Sequence, residues 1–402
     1  MKINKSFKYR LRLNPEQENL CAQAAGCCRY IWNTGLALKK KLWEEKKEKV
    51  SRYDLDKRVK DLKEEHQWLK VPPSQSLQQV NKDLEQAFRN FFNGAGYPKF
   101  KKKGINDSFR MPQGIKLEKK LSKKVGQVRL PKLGTVRYTH TREIEGRIKH
   151  VTVSKKCGKW YISFNCEVDI SEADEKPLSE IGIDMGITVF AQCSDGVSIK
   201  GTGPLKKNLS KLRKLQRELS RKKKYSSNWK KTRNKISKLH EHISNIRKDF
   251  LHKASTKLAK NHSLIVMEDL KTKDMSSSAK GSLDNPGKNV KAKSALNRSI
   301  LDQGWGMFEN YISYKVSWNG GKLVVVNPKN TSIQCSRCGH TDSKNRKSQG
   351  EFECLNCGYA ENADLNASKN ILAEGHSVIA CGVEALVSTM KQELPIRKPV
   401  RV

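Results

Sequence analysis

The sequence predicts a multidomain α+β fold: a β domain split by a run of helices, followed by a region of apolar strands and helices that carries a small metal knot. Three observations lead there. The chain has 402 residues, more than one hydrophobic core ordinarily serves, so roughly two to four domains are expected. Its patterning runs from alternating to helical and back to alternating before residue 170. Two Cys-x-x-Cys pairs stand close together near the end, with the spacing of a metal site.

The first strand is read from SFKYRLRL (6–13), where Phe7, Tyr9, Leu11 and Leu13 alternate with cations. NPEQ (14–17) then starts a helix, with Asn14 as cap, Pro15 in the first turn and Gln17 at the capping-box position. Helical spacing continues to about residue 93; in LQQVNKDLEQAFRNFF (77–92) the apolar residues recur every three or four positions. YPKFKKKG (97–104) ends the helices, and short alternating runs follow, among them GQVRLPKLGTVRY (126–138) and KWYISFNCEV (159–168). The first strand and these later ones are expected to build one β domain around a helical insertion. SEADEKP (171–177) is the expected linker.

Beyond it, residues 205–253 predict a helical hairpin, with a seam of Ile236, Leu239, Ile243, Ile246 and Phe250. That stretch holds 18 Lys or Arg against three acids, and Lys222, Lys223 and Lys224 are expected to track phosphates. Residues 271–295 read as a mobile loop, and 376–402 as a disordered basic tail.

Lys plus Arg number 80 against 41 acids, a net charge of +39. Such an excess calls for a polyanionic partner: nucleic acid first, a membrane surface as the alternative. The longest apolar runs, such as LVVV (323–326), are far short of the roughly 20 residues that span a bilayer. The N-terminal MKINKSFKYRLRL has no signal-peptide core, so a soluble cytoplasmic protein with reduced thiols is expected.

Cys335, Cys338, Cys354 and Cys357 form C-x2-C-x15-C-x2-C. Four thiolates at this spacing close a tetrahedral shell with no open position, the mark of one structural zinc ion. His340, beside the first pair, is read as a bystander. Seven residues after Cys357 stands Asp364, in the polar run NADLNASKN. Two further acids end or interrupt apolar runs: Asp184 in EIGIDMGITVF and Glu268 in SLIVMEDL. A charge in such a strand needs a partner or a metal. Three carboxylates at a sheet edge can hold two divalent ions, which activate water and stabilise the leaving oxygen in phosphodiester hydrolysis.

IDMG (183–186), MEDL (267–270), the four-cysteine ribbon and DLNASKNIL (364–372) resemble the transposon-encoded TnpB (OrfB) family, relatives of type V CRISPR effectors. CRYIWN (28–33), YPKFKKK (97–103), RLPKLG (129–134), LNRSILDQGW (296–305) and YKVSWNGGKLVVVNP (314–328) extend the likeness over nearly the whole chain. The resemblance implies an N-terminal β-barrel (wedge), residues 1–13 and 100–172, with a helical recognition bundle inserted over 14–99. It implies an RNase H-like (RuvC) α/β nuclease domain over 177–375, with the zinc ribbon inserted over 328–361. Asp184, Glu268 and Asp364 then correspond to the family's catalytic acids, holding two Mg2+ ions, and one Zn2+ sits in the ribbon. The implied activity is RNA-guided, target-adjacent-motif-dependent DNA cleavage. The implied partners are a guide RNA from the transposon end and double- and single-stranded target DNA, with no membrane and no small-molecule substrate. Two other readings stay open on the residues alone: a cut-and-paste transposase with an RNase H-like fold, and a non-catalytic zinc-dependent nucleic-acid binder.

Overall fold

The computed structural model describes residues 1–170 and 179–380; the expected linker 171–177 and the tail beyond residue 380 lie outside the described residues. The described residues form two compact units, 1–170 and 179–380.

The first unit opens on β1 (Lys2–Arg12), whose inward residues Phe7, Tyr9 and Leu11 alternate with exposed cations as the pattern requires. Asn14 caps the next helix: its side chain accepts the Gln17 N–H at 2.7 Å, and the Gln17 side chain accepts the Asn14 N–H at 3.3 Å. Three helices follow, α1 (Pro15–Lys46), α2 (Arg52–Glu65) and α3 (Ser74–Phe92). Six strands complete the unit: β2 (Ser108–Met111), β3 (Lys116–Ser122), β4 (Val125–Leu130), β5 (Gly134–Thr139), β6 (Arg147–Lys156) and β7 (Lys159–Asp169). They join β1 in one antiparallel sheet of order β2-β6-β7-β1-β5-β4-β3. β1 pairs with β7 from Lys2 to Arg10 and passes to β5 at Leu11 and Arg12. Both partners of β1 therefore follow the helices in sequence. Helices and sheet share one core, in which Leu36, Leu77 and Leu84 join Phe7, Tyr138 and Phe164.

The second unit begins with β8 (Glu180–Asp184), β9 (Ala191–Cys193) and β10 (Ser198–Ile199), then α4 (Pro204–Ser220), α5 (Ser227–Asn261) and β11 (Leu264–Glu268). It continues through α6 (Thr272–Met275), α7 (Val290–Gln303), α8 (Trp305–Trp318) and β12 (Lys322–Val326). The ribbon strands β13 (Glu351–Glu353) and β14 (Ala360–Asn362) lead into α9 (Ala363–Ala380), so residues 376–380, expected in the tail, are helical. The main sheet has the order β10-β9-β8-β11-β12, with β8, β11 and β12 parallel and β9 and β10 antiparallel.

Helices cover both faces of the parallel strands, which is why their sequences run apolar without a break. Ile181, Ile183, Ile265 and Met267 face Leu251, Phe308 and Ile312 of α5 and α8. Leu264, Val266, Val324 and Val326 face Ile371 of α9.

Helices α4 and α5 form the expected hairpin around Leu212, Leu239 and Ile243. Its base is fastened by Asp302 of α7, only 6 % exposed. Asp302 accepts the Leu205 N–H at the start of α4 at 2.9 Å and pairs with Arg247 of α5 at 2.6 Å. At the other end Lys222 is not a free phosphate ligand as the sequence suggested. Its ammonium is held by Glu218 and by Thr232 Oγ1, inside the hairpin turn. The stretch 271–295 also departs from expectation. Composition suggested a loop, but Asn297 donates to the Ser276 and Ser277 carbonyls and Lys293 to that of Met275, tying the segment to α7.

Candidate active site

Asp184 is the last residue of β8 and Glu268 the last of β11, and the two strands are parallel neighbours. Side chains alternate across a strand. Since Ile181, Ile183, Ile265 and Met267 point to the α5–α8 face, Asp184 and Glu268 fall on the face covered by α9. That helix lies against the strands because two glycines clear its path. A Cβ on Gly182 would meet the Ser368 carbonyl at 2.1 Å, and one on Gly375 would meet Val266 at 2.4 Å. The first turn of α9 carries Asp364 to the strand ends. All three acids line one cleft of about 280 Å³, with Thr331 and Arg346.

The cleft is strongly acidic toward its floor. Burial, then the charges of Glu268 and Asp364, push the Asp184 carboxyl up to about 7, against the opposing pull of Arg346. Burial also raises Glu268, offset by the Thr331 hydroxyl, which donates to its Oε1 at 2.6 Å. Arg346 meets Asp364 Oδ1 at 3.2 Å and is the single cation among the described lining residues.

A raised carboxyl pKa has a definite sign in stability. The folded state keeps the proton longer than the unfolded chain, so the stabilisation is present below about 4 and is lost as pH rises through about 7. In magnesium-free buffer, Asp184→Asn should therefore gain thermal stability relative to the wild type across that window and hold the gain above it. A melting-temperature difference that is flat from acid to neutral pH would refute this account of the cleft.

The four cysteines converge. Their sulfurs all lie within 4.8 Å of one another, with Cys335 and Cys354 buried and Cys338 and Cys357 exposed. His340 is not in the group. The two knuckles repeat one geometry: the Gly339 N–H bonds the Cys335 carbonyl, and the Gly358 N–H bonds that of Cys354. Asn345, fully buried, joins them by donating to the Ile333 and His340 carbonyls and accepting the Leu355 N–H. The His340 N–H leads in holding Cys338 down to about 6. Cys357, despite the Tyr359 N–H that favours its thiolate, is pushed up to about 12 by loss of solvation and by the other three sulfurs. So many thiols cannot all ionise together without a cation. A compact four-sulfur set suits zinc.

The polar run around Asp364 ties the ribbon to the cleft. Asn366 accepts the Ser336 N–H at 2.9 Å and donates to the Gln334 carbonyl at 2.7 Å. Asn370, one turn on, donates to the carbonyls of Gln334 and Thr331. Thr331 in turn holds Glu268, and Arg346 reaches Asp364 from the ribbon. Sequence reading missed all four of these residues. The i, i+4 spacing of the two asparagines was the available signal; nothing local marked Thr331 or Arg346.

Comparison with known proteins bears on the family of the chain. Family models match at residues 163–279, described as a probable transposase, and at 305–371, described as the Cas12f1-like TNB domain. The "Putative RNA-guided DNA endonuclease InsQ" of Escherichia coli (strain K12) is 47% identical over 385 residues, 95% of each chain. The chain belongs to the TnpB (OrfB) family. A second relative, the "Putative RNA-guided DNA endonuclease" of Streptomyces pristinaespiralis, is 31% identical over 94% of this chain and 91% of its own. In fold, this TnpB-family chain is similar to the protein in a Cas12f1–sgRNA–target DNA complex, with a TM-score of 0.59 at 15% identity over 92% of this chain and 98% of that one. A model described as a helix-turn-helix domain also matches residues 1–48, yet there the TnpB-family chain folds as β1 and the single helix α1.

Proposed function

We propose that this TnpB-family protein is an RNA-guided DNA endonuclease. It binds a guide RNA transcribed from the transposon end and cleaves double-stranded DNA beside a short motif. The reading is carried chiefly by Asp184, Glu268 and Asp364 sharing one cleft, three hard oxygen donors gathered from distant parts of the chain. Asp184, Glu268 and Asp364 would hold two magnesium ions, which supply activation of water and stabilisation of the leaving oxygen. Thr331 orients Glu268, and the Arg346 guanidinium suits the oxygens of a phosphodiester entering the cleft. The ribbon's four cysteines would hold a structural zinc ion, leaving the acids to the chemistry.

The net charge of +39 supports two polyanionic partners, RNA and DNA. In this division of labour base pairing reads sequence, while the protein reads duplex shape and a short motif. No helix among the described residues is long and apolar enough to cross a membrane. We further infer that the seven-stranded sheet is the wedge barrel and α1–α3 its recognition insertion. The transfer of β1 from β7 to β5 supports a strongly curved sheet. The five-stranded mixed sheet is read as the RNase H-like (RuvC) core, supported by its acids at the strand ends.

Retargeting tests the whole reading. RNA that copurifies with the protein is sequenced, its guide segment is rewritten, and cleavage in magnesium should move to the newly specified site. Transposon ends joined to target DNA would instead establish the transposase reading. Binding without any cutting would leave only the zinc-dependent binder.

A further inference from the structure

The turn of the α4–α5 hairpin carries features that the cleavage chemistry does not use. From Arg221 to Lys235 there are eight Lys or Arg and no acid. The nearest acid, Glu218, is engaged by Lys222 and Thr232. Two aromatic rings stand within this cationic turn. Tyr225 is 65% exposed, on a backbone of φ 69°, and Trp229 lies half-buried with its ring centroid 5.5 Å away and tilted by 58°. A non-glycine residue in the left-handed region is strained, and such strain gathers at functional positions. Lys224 lies over the Tyr225 ring at 5.3 Å and Arg233 over the Trp229 ring at 5.5 Å.

We propose that this turn is a stacking platform for unpaired bases of the guide RNA. Rings backed by cations are what a single strand requires: each base offers a flat face, and each phosphate a charge. Two rings inclined at 58° cannot follow the parallel bases of a duplex, whose faces are already covered by their neighbours. RNA is favoured over DNA by the polar groups between the rings. Ser227 and Asn228 are exposed there, suited to a 2′-hydroxyl that both donates and accepts. A guide transcript also exposes unpaired loops before any target arrives, whereas the target arrives as duplex. The choice of guide RNA rests on the endonuclease reading; the stacking geometry does not.

The test uses the full-length protein with three probes: a single-stranded RNA containing 5-iodouridine, the deoxy strand of the same sequence, and the RNA annealed to its complement. Photocrosslinks should map to Tyr225 or Trp229 on the single-stranded RNA alone. Tyr225→Ala with Trp229→Ala should weaken binding of that RNA by about 5- to 150-fold per stacked base with the salt slope unchanged. Tyr225→Phe with Trp229→Phe should keep the affinity, which controls for folding. Lys223→Glu with Lys224→Glu should instead flatten the salt slope by about 0.7 for each phosphate that is no longer neutralised. An equal aromatic loss on the deoxy strand would overturn the RNA assignment in favour of displaced DNA. No loss on either single strand would overturn the platform altogether. Because no probe is cleaved, failure of guided cleavage would strike the endonuclease reading separately.

Discussion

Alanine at Asp184, Glu268 or Asp364 is expected to remove guide-directed cleavage while guide and target binding persist. The three side chains face one another across a single cleft, so each contributes to one shared anionic shell. The divalent ions that such a shell would hold are worth several kcal/mol to a phosphoryl transition state. At tenfold per about 1.4 kcal/mol, the loss should be at least ~10³-fold. The effects should not add, because a shell missing one member is already disabled, and the triple variant should cut no more slowly than the singles. Binding should survive for a separate reason: it rests on cations and base pairing, which these substitutions leave in place. Because the proposed mechanism uses the one cleft for both DNA strands, neither strand should be nicked preferentially by any of the variants. The measurement is cleavage of a guide-matched duplex in magnesium beside a binding assay with the same duplex. Wild-type cutting by Asp184→Ala would sink the mechanism.

Removing the zinc should do comparable damage from a distance. Cys335→Ser with Cys338→Ser is expected to lose about one equivalent of zinc. In peptides of this kind the ion contributes about 10–16 kcal/mol, which is also the folding energy of the knot. The ribbon's own apolar core is small, essentially Phe352 with Ala363 and the buried cysteines, and cannot replace that contribution. Once the ribbon loosens, Arg346 leaves Asp364, and Asn366 and Asn370 lose the carbonyls that fix Thr331 beside Glu268. Cleavage should therefore collapse although no acid has been touched, and limited proteolysis should cut first between residues 328 and 362. Elemental analysis showing undiminished zinc, or full activity without it, would separate the ribbon from the site.

The hairpin shows where local reading stops. Its two helices follow from apolar spacing; of the expected seam, Ile236, Leu239 and Ile243 pack between them, whereas Phe250 joins the core of the main sheet. Its charge was legible only as a sum. Which lysines face solvent depends on partners brought in by folding, and Lys222 is taken by Glu218 and Thr232 while Lys223 and Lys224 remain exposed.

What the sequence determined by itself was every feature with a short period or spacing. These are the alternation of β1, the Asn14 capping box, the apolar runs that end on Asp184 and Glu268, and the paired cysteines. Each depends on residues within a few positions of one another, so local stereochemistry suffices. The cleft needed the tertiary structure. That Asp184 and Glu268 share a face depends on the register of two strands about eighty residues apart. That Asp364 joins them depends on α9 lying over Gly182, where the strand has no side chain to hold it off. Arg346 and Thr331 matter because the ribbon and its approach fold back onto strands formed much earlier in the chain. No local pattern encodes such meetings, because their free energy is realised only once the sheet, the helix and the ribbon are packed together.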